Sequence, residues 1–148
     1  MTERVDFYVL GSGGGKQRLT FACRLAEKAY LRDLSVVLLS QTPEDGAALD
    51  ELLWTFSDRS FVPHEVRRVG EAAGAPVQLT TDLSEVDAAD LLVNLSERLP
   101  EGWERFGRIA EIVDTDEAQR RRGRERFKAY RELQLTVETH RLDDGAGA

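Results

Sequence analysis

One cysteine and two histidines are all that the 148-residue sequence offers in the way of soft or imidazole ligands. Cys23 has no second cysteine to pair with, so no internal disulfide forms, and with His64 and His140 far apart no Cys₂His₂ or Cys₄ zinc site can be assembled. Structural zinc is excluded and no cofactor is expected. The chain also lacks an apolar N-terminal segment ending in a small-residue cleavage site, so the expected location is the cytoplasm. Charged residues make up 32%, too many for a membrane protein, while 41% hydrophobic residues are too many for a disordered chain. Against 20 Lys and Arg stand 27 Asp and Glu, a net charge of -7 that repels DNA and anionic lipid at long range. The length suits one domain around one interior.

What the chain does have is alternation. Residues 5–10 (VDFYVL) form a β-branched and aromatic strand stopped by residues 11–15 (GSGGG). From 17 to 31, Leu19, Ala22, Cys23, Leu25, Ala26, Ala29 and Tyr30 recur at three- and four-residue intervals, which predicts an amphipathic helix. Residues 35–39 (SVVLL) read as a strand buried on both faces, and Pro43 opens a helix through about Trp54. Residues 55–74 have neither periodicity and read as a long connection. Strands are predicted at 76–79, 91–95 and 108–113, a helical turn at 101–106, a long helix at 117–133 and a final edge strand at 135–139. Strands alternating with helices imply an α/β fold: a single domain over residues 1–142 with a mostly parallel, Rossmann-like sheet and helices on both faces. Residues 143–148 are expected to be a flexible tail.

Catalytic patterns are mostly absent. The Gly11–Gly15 loop precedes Lys16 at a strand-to-helix junction, where backbone N–H groups could cradle a phosphate. It fails as a Walker A loop, because three residues rather than four precede Gly15-Lys16 and Gln17 replaces the Ser or Thr hydroxyl; it fails as G-x-G-x-x-G because Lys16 takes the place of the third glycine. A nucleotide- or phosphate-binding enzyme using this loop is the alternative function. Neither His64 nor His140 has a Ser or Cys motif beside it, and Cys23 falls on the apolar helix side, where a buried thiol is commonest.

Two features stand out. Between Arg120 and Arg131 there are seven basic residues and one acid, Glu125, a local charge of +6 that leaves -13 for the rest of the chain. At about 100° per residue, Arg120, Arg124, Lys128, Arg131 and Phe127 share one arc of the helix. The stripe is either a solvated face or a weak site for an acidic peptide with an apolar side chain; direct binding of single-stranded DNA is a third reading. The second feature gathers Trp54, Phe56, Phe61 and Pro63 at a helix end and the loop after it, either as a cap on the core or as interface anchors.

Residues 5–10, 21–28 (FACRLAEK), 49–54 (LDELLW), 60–64 (SFVPH), 75–77 (APV), 90–95 (DLLVNL), 112–114 (IVD) and 124–131 (RERFKAYR) together resemble the chi subunit family of bacterial DNA polymerase III along the whole chain. The resemblance implies a non-catalytic replication adaptor that pairs with the psi subunit of the clamp loader and grips the acidic C-terminal tail of single-stranded DNA-binding protein. It implies that Arg124 holds the tail's terminal carboxylate or an acidic side chain, that Arg120 and Lys128 add charge, and that Phe127 and Val113 line a pocket for the terminal Phe. Trp54, Phe61, Val62 and Pro63 are then the psi-facing residues, and no direct nucleic-acid or membrane contact is expected. The glycine-rich loop and the tail after Leu142 are not features of that resemblance.

Overall fold

The computed structural model describes residues 2–11, 15–58, 61–67 and 74–142. Seven strands run in chain order as β1 (Arg4–Leu10), β2 (Val36–Ser40), β3 (His64–Val66), β4 (Val77–Thr80), β5 (Ala89–Leu95), β6 (Phe106–Val113) and β7 (Val137–Leu142), with helices α1 (Gly15–Tyr30), α2 (Pro43–Thr55) and α3 (Glu117–Glu132). They form one sheet in the order β3-β4-β2-β5-β6-β1-β7, and every pairing is parallel. Right-handed crossovers dictate the rest. From β1 the chain moves one way along the sheet to β2, and from β6 it moves the opposite way to β7, so α1 and α3 must cover opposite faces.

The strand sequences show this double burial. In β2, Val36 and Leu38 join Ala22, Cys23, Leu49 and Leu53 of α1 and α2 in one core, while Val37 and Leu39 turn to the other core with Tyr130 of α3. Cys23 is fully enclosed, and burial pushes its thiol up to about 12, which leaves it inert. Caps fix the helix starts. Thr42 Oγ1 accepts from Asp45 N at 3.1 Å just before Pro43, and Asp116 Oδ2 accepts from Gln119 N at 3.0 Å at the head of α3.

Three expectations are corrected. The connection at 55–74 contains β3, a three-residue edge strand set by pairing of His64, Glu65 and Val66 with β4, too short to leave a periodic trace. The turn at 101–106 is a 3-10 turn over Trp103–Arg105, and Phe106 is the buried first residue of β6. The last strand begins at Val137, two residues later than expected, because Leu133 and Gln134, the latter at a φ of 64°, still turn the chain out of α3. Residues 143–148, expected as a tail, lie outside the described residues, as does Ser60. Among the described residues no helix is long and apolar enough to cross a membrane.

α3 is docked by a buried carboxylate. Glu111 of β6 has no solvent exposure and receives Arg126 Nε at 2.9 Å, Tyr130 Oη at 2.7 Å and Asn94 Nδ2 at 2.8 Å. Burial pushes the Glu111 carboxyl up, while Arg126, Asn94 and Tyr130 pull the other way. Removing one partner of such a pair leaves an uncompensated buried charge, whereas replacing both by apolar groups can be neutral. Arg126→Ala is therefore expected to lower stability by about 3–5 kcal/mol in urea unfolding. Arg126→Met with Glu111→Leu and Tyr130→Phe, which leaves no tyrosine hydroxyl without its acceptor, should recover most of that loss, and a triple variant no more stable than the single would contradict this account.

Candidate functional site

Because Arg126 and Tyr130 face the sheet, the helix side carrying Arg120, Gly123, Arg124 and Phe127 overhangs β1, β6 and β7. A cavity of about 310 Å³ lies beneath it. Phe7, Val9, Val113 and Phe127 supply its apolar surfaces, and Arg120, Arg124 and Arg141 stand around it with Thr139. None of the described lining residues is acidic. Phe127 meets Phe7 edge-on with ring centroids 5.3 Å apart, and the Arg131 guanidinium lies 5.9 Å from the Phe127 centroid, so the aromatic wall is braced from both sides.

The arginines are only lightly engaged. Arg120 Nε donates to the Asp114 carbonyl oxygen at 3.3 Å, and among the described residues Arg124 pairs with one carboxylate, exposed Glu117 at 3.9 Å. Arg122 and Arg126 point elsewhere, to Glu97 at 3.1 Å and to Glu111. The structure thus brings together Val113, Arg120, Arg124 and Phe127. Lys128 is not with them: it is exposed and absent from the lining, about 40° further round the helix than Arg124. The sequence reading missed Phe7, Val9, Thr139 and Arg141, whose alternation along β1 and β7 marks a shared face only once the strand order is known.

Gly123 explains why α3 tolerates a helix-weakening residue. A Cβ there would sit 3.0 Å from Val113 Cγ2, so the glycine lets the helix close onto the cavity wall.

At the other end of the sheet, Trp54 and Phe61 are 57% and 62% exposed, with ring centroids 5.6 Å apart. Trp54 also packs 4.7 Å from the His64 ring, whose Nδ1 lies 2.6 Å from the Val62 carbonyl oxygen and whose Nε2 lies 3.1 Å from Asp50 Oδ1. Pro63 is half-buried beside them. Val62 is a correction to the expected surface: with 0% exposure it belongs to the core under α1 and α2, because the side chains on either side of it turn outward.

Other chemistry finds less support in the geometry. Asp6, Glu138 and His140 bring three potential metal-ligand atoms within 4.8 Å of one another. Yet Asp6 already receives Arg4, Arg108 and His140 at 2.8, 2.9 and 2.9 Å. Burial would raise the Asp6 carboxyl, but these three hydrogen bonds hold it below the usual carboxylate range, so a cation would have to displace two guanidiniums. At the C-terminal ends of β5 and β6, near where parallel sheets often take ligands, Arg18 is buried and donates to the carbonyl oxygens of Leu95 at 2.6 Å and Ile112 at 3.1 Å. Of the Gly11–Gly15 loop, residues 12–14 lie outside the described residues.

Fold and site together define an all-parallel α/β protein whose cavity is cationic, apolar-floored and set beside a helix at the sheet edge. Residues 1–138 match the family described as DNA polymerase III chi subunit, HolC, and the chain belongs to that family. It is thus a subunit of DNA polymerase III, a replication protein. Similar chains include DNA polymerase III subunit chi of Pseudomonas aeruginosa, 39% identical over 94% of this chain and 96% of that one. The Escherichia coli subunit chi is 26% identical over 93% and 97%, and the Haemophilus influenzae one 26% over 88% and 92%. Among solved structures, T4 UvsW has a TM-score of 0.62 at 10% identity, covering 95% of this chain and 42% of that one. A DEAD box protein from Methanococcus jannaschii has a TM-score of 0.59 at 14% identity over 94% and 42%. At such identities the likeness is one of fold alone.

Gly123→Ala is expected to destabilise the protein by about 1 kcal/mol, because the crowding of Val113, of order 1–3 kcal/mol, outweighs a helix-propensity gain of about 1 kcal/mol. In a Val113→Ala background the same substitution should stabilise by about 1 kcal/mol, the helix-propensity gain alone; equal costs in both backgrounds, by urea unfolding, would separate Gly123 from Val113.

Proposed function

We propose that the protein is a non-catalytic adaptor of replication, working in the cytoplasm, that holds the acidic C-terminal tail of single-stranded DNA-binding protein at the α3 cavity and the psi subunit of the clamp loader at the Trp54–Phe61 surface. One observation carries the first half: three arginines, Arg120, Arg124 and Arg141, line an apolar cavity of about 310 Å³ with no carboxylate among its described lining residues. A dry cavity of roughly 150 Å³ holds a benzene ring, so this one has room for a terminal phenyl ring with its carboxylate. Phe127, Val113 and Gly123 receive the ring, Arg124 takes the terminal carboxylate, and Arg120 adds charge. Lys128 contributes only to the field around the mouth.

Membership of the chi subunit family supports the same reading, as does the exposed aromatic pair for the second half. Trp54 and Phe61 are large, neighbouring and solvent-facing, the composition of an interface anchor, with Pro63 extending the patch. Val62 acts there only from within, as core support.

Burying the terminal Phe contributes about 1.5–3 kcal/mol and each exposed ion pair about 0.2–1 kcal/mol. Together these contributions stay below the roughly 8 kcal/mol of a micromolar complex, so a weak dissociation constant, from tens of micromolar to about millimolar, is expected, weakening further with salt. A short acidic peptide ending in a free Phe is expected to bind at low salt in fluorescence-anisotropy titration. Deleting its Phe should abolish measurable binding, and Arg124→Ala should weaken it by about three- to fivefold without moving the unfolding midpoint. Absence of binding by the wild-type protein at low salt would overturn the tail-binding reading. Independently, Trp54→Ala should reduce co-purification of psi while leaving peptide affinity unchanged, and undiminished psi recovery would remove the second half.

A further inference from the structure

The helix supplies only one side of the cavity. Across the sheet, Val113 of β6 is in register with Val9 of β1, and Val9 with Arg141 of β7. Neighbouring strands are about 4.8 Å apart, so this row runs apolar, apolar, cationic over about 10 Å. It ends at the sheet edge, because β7 is the outermost strand. Period-two alternation then sorts the charges of β7. Arg141 shares the cavity with Thr139, whereas Glu138 and His140 turn to the opposite face, where Glu138 pairs with Arg4 at 2.9 Å and His140 with Asp6 at 2.9 Å. Glu138, the one acidic side chain of β7, is thus turned away and occupied. Among the described residues Arg141 has no ion pair.

α3 walls one side of the cavity, and β7, the edge strand, lines the other. A chain whose terminal ring sits against Val113 and Phe127 and that runs out over β7 passes Arg141. We infer that Arg141 is a specificity-determining residue of the pocket: from β7 it pairs with a carboxylate side chain upstream of the C-terminal residue, while the α3 arginines take the terminal carboxylate. The pocket then reads two things about its ligand, a free apolar C-terminus and an acid before it, using two separate elements of the fold. This inference rests on the tail-binding reading of the same cavity.

The two can be tested apart with two labelled peptides that both end in a free Phe, one rich in aspartate and one with every aspartate replaced by asparagine. Wild-type protein, Arg141→Ala, Arg141→Lys and Arg124→Ala are titrated with each at low salt. Arg141→Ala should weaken the aspartate peptide by about three- to fivefold, the upper part of the range of one exposed ion pair, and leave the asparagine peptide unchanged. Arg141→Lys should restore most of the loss, and raising the salt should shrink the difference between wild type and Arg141→Ala. Arg124→Ala should weaken both peptides, because its partner is the terminal carboxylate. If wild type binds the aspartate peptide and Arg141→Ala binds it equally well, or loses both peptides by the same factor, the role given to Arg141 is wrong while the tail-binding reading stands. If wild type binds neither peptide, the tail-binding reading itself fails and this inference with it.

Discussion

A single carboxylate fixes the working face of this protein. Glu111 sits in the middle of the sheet, wholly enclosed, and receives hydrogen bonds from two residues four apart on α3, Arg126 and Tyr130, and from Asn94 on the neighbouring strand. Residues at that spacing lie on the same side of a helix, so the pair sets the rotation of α3 about its own axis. A turn of one residue, about 100°, would carry Arg120, Arg124 and Phe127 away from the cavity. Arg126 also donates to the Glu97 carbonyl oxygen at 3.0 Å, which ties the loop after β5 to the same anchor. Because the desolvation of such a pair offsets much of its attraction, its main physical effect is the penalty on every arrangement that breaks it.

That rotation sorts the cations of α3 by task. Arg126 is neutralised in the interior, Arg122 is paired with Glu97, Arg131 braces Phe127, Arg121 and Lys128 are exposed outside the lining, and Arg120 and Arg124 stand over the apolar floor. The chain as a whole is acidic, with a net charge of -7. Screening over about 8 Å at physiological salt separates the two scales. An acidic segment at the cavity mouth responds to the guanidiniums beside it, while the anionic remainder of the surface disfavours the indiscriminate polyanion binding that an arginine-rich helix would otherwise invite.

The fold was legible where burial is strong and local. Residues 117–133 carry their helix in strong helix formers, and residues 35–39 announce a doubly buried strand, and both appear within a residue of where the pattern ends. β3 was not legible, since three residues have no period and His64–Val66 becomes a strand only by pairing with β4. Half of the cavity could be seen in advance, as Arg120, Arg124 and Phe127 share a helix arc that arithmetic reveals. The other half could not, because Val9 and Arg141 meet only through a strand order in which β1 lies between β6 and β7. Val62 shows the converse limit: adjacent to an exposed aromatic and a proline, it looks like surface, and only the packing of α1 and α2 reveals it as core.

The location of the cavity bears on how quickly it can act. Ligands of parallel α/β sheets commonly enter at the C-terminal strand ends, where loops or domains must often close over them. Here Arg18 ties the ends of β5 and β6 together, and the usable recess lies on the α3 face, open at the sheet edge. Its walls are preset: Gly123 already lets α3 down onto Val113, and Phe127 is held between Phe7 and Arg131. Binding therefore orders the incoming chain end but little of the protein, so the ordering cost falls on the ligand's side. A site that combines one apolar insertion with solvent-exposed ion pairs gains speed from steering and loses residence time to the weakness of each contact. If the cavity holds a partner's chain end as proposed, a prebuilt recess suits repeated release and recapture more directly than one that must close over its ligand.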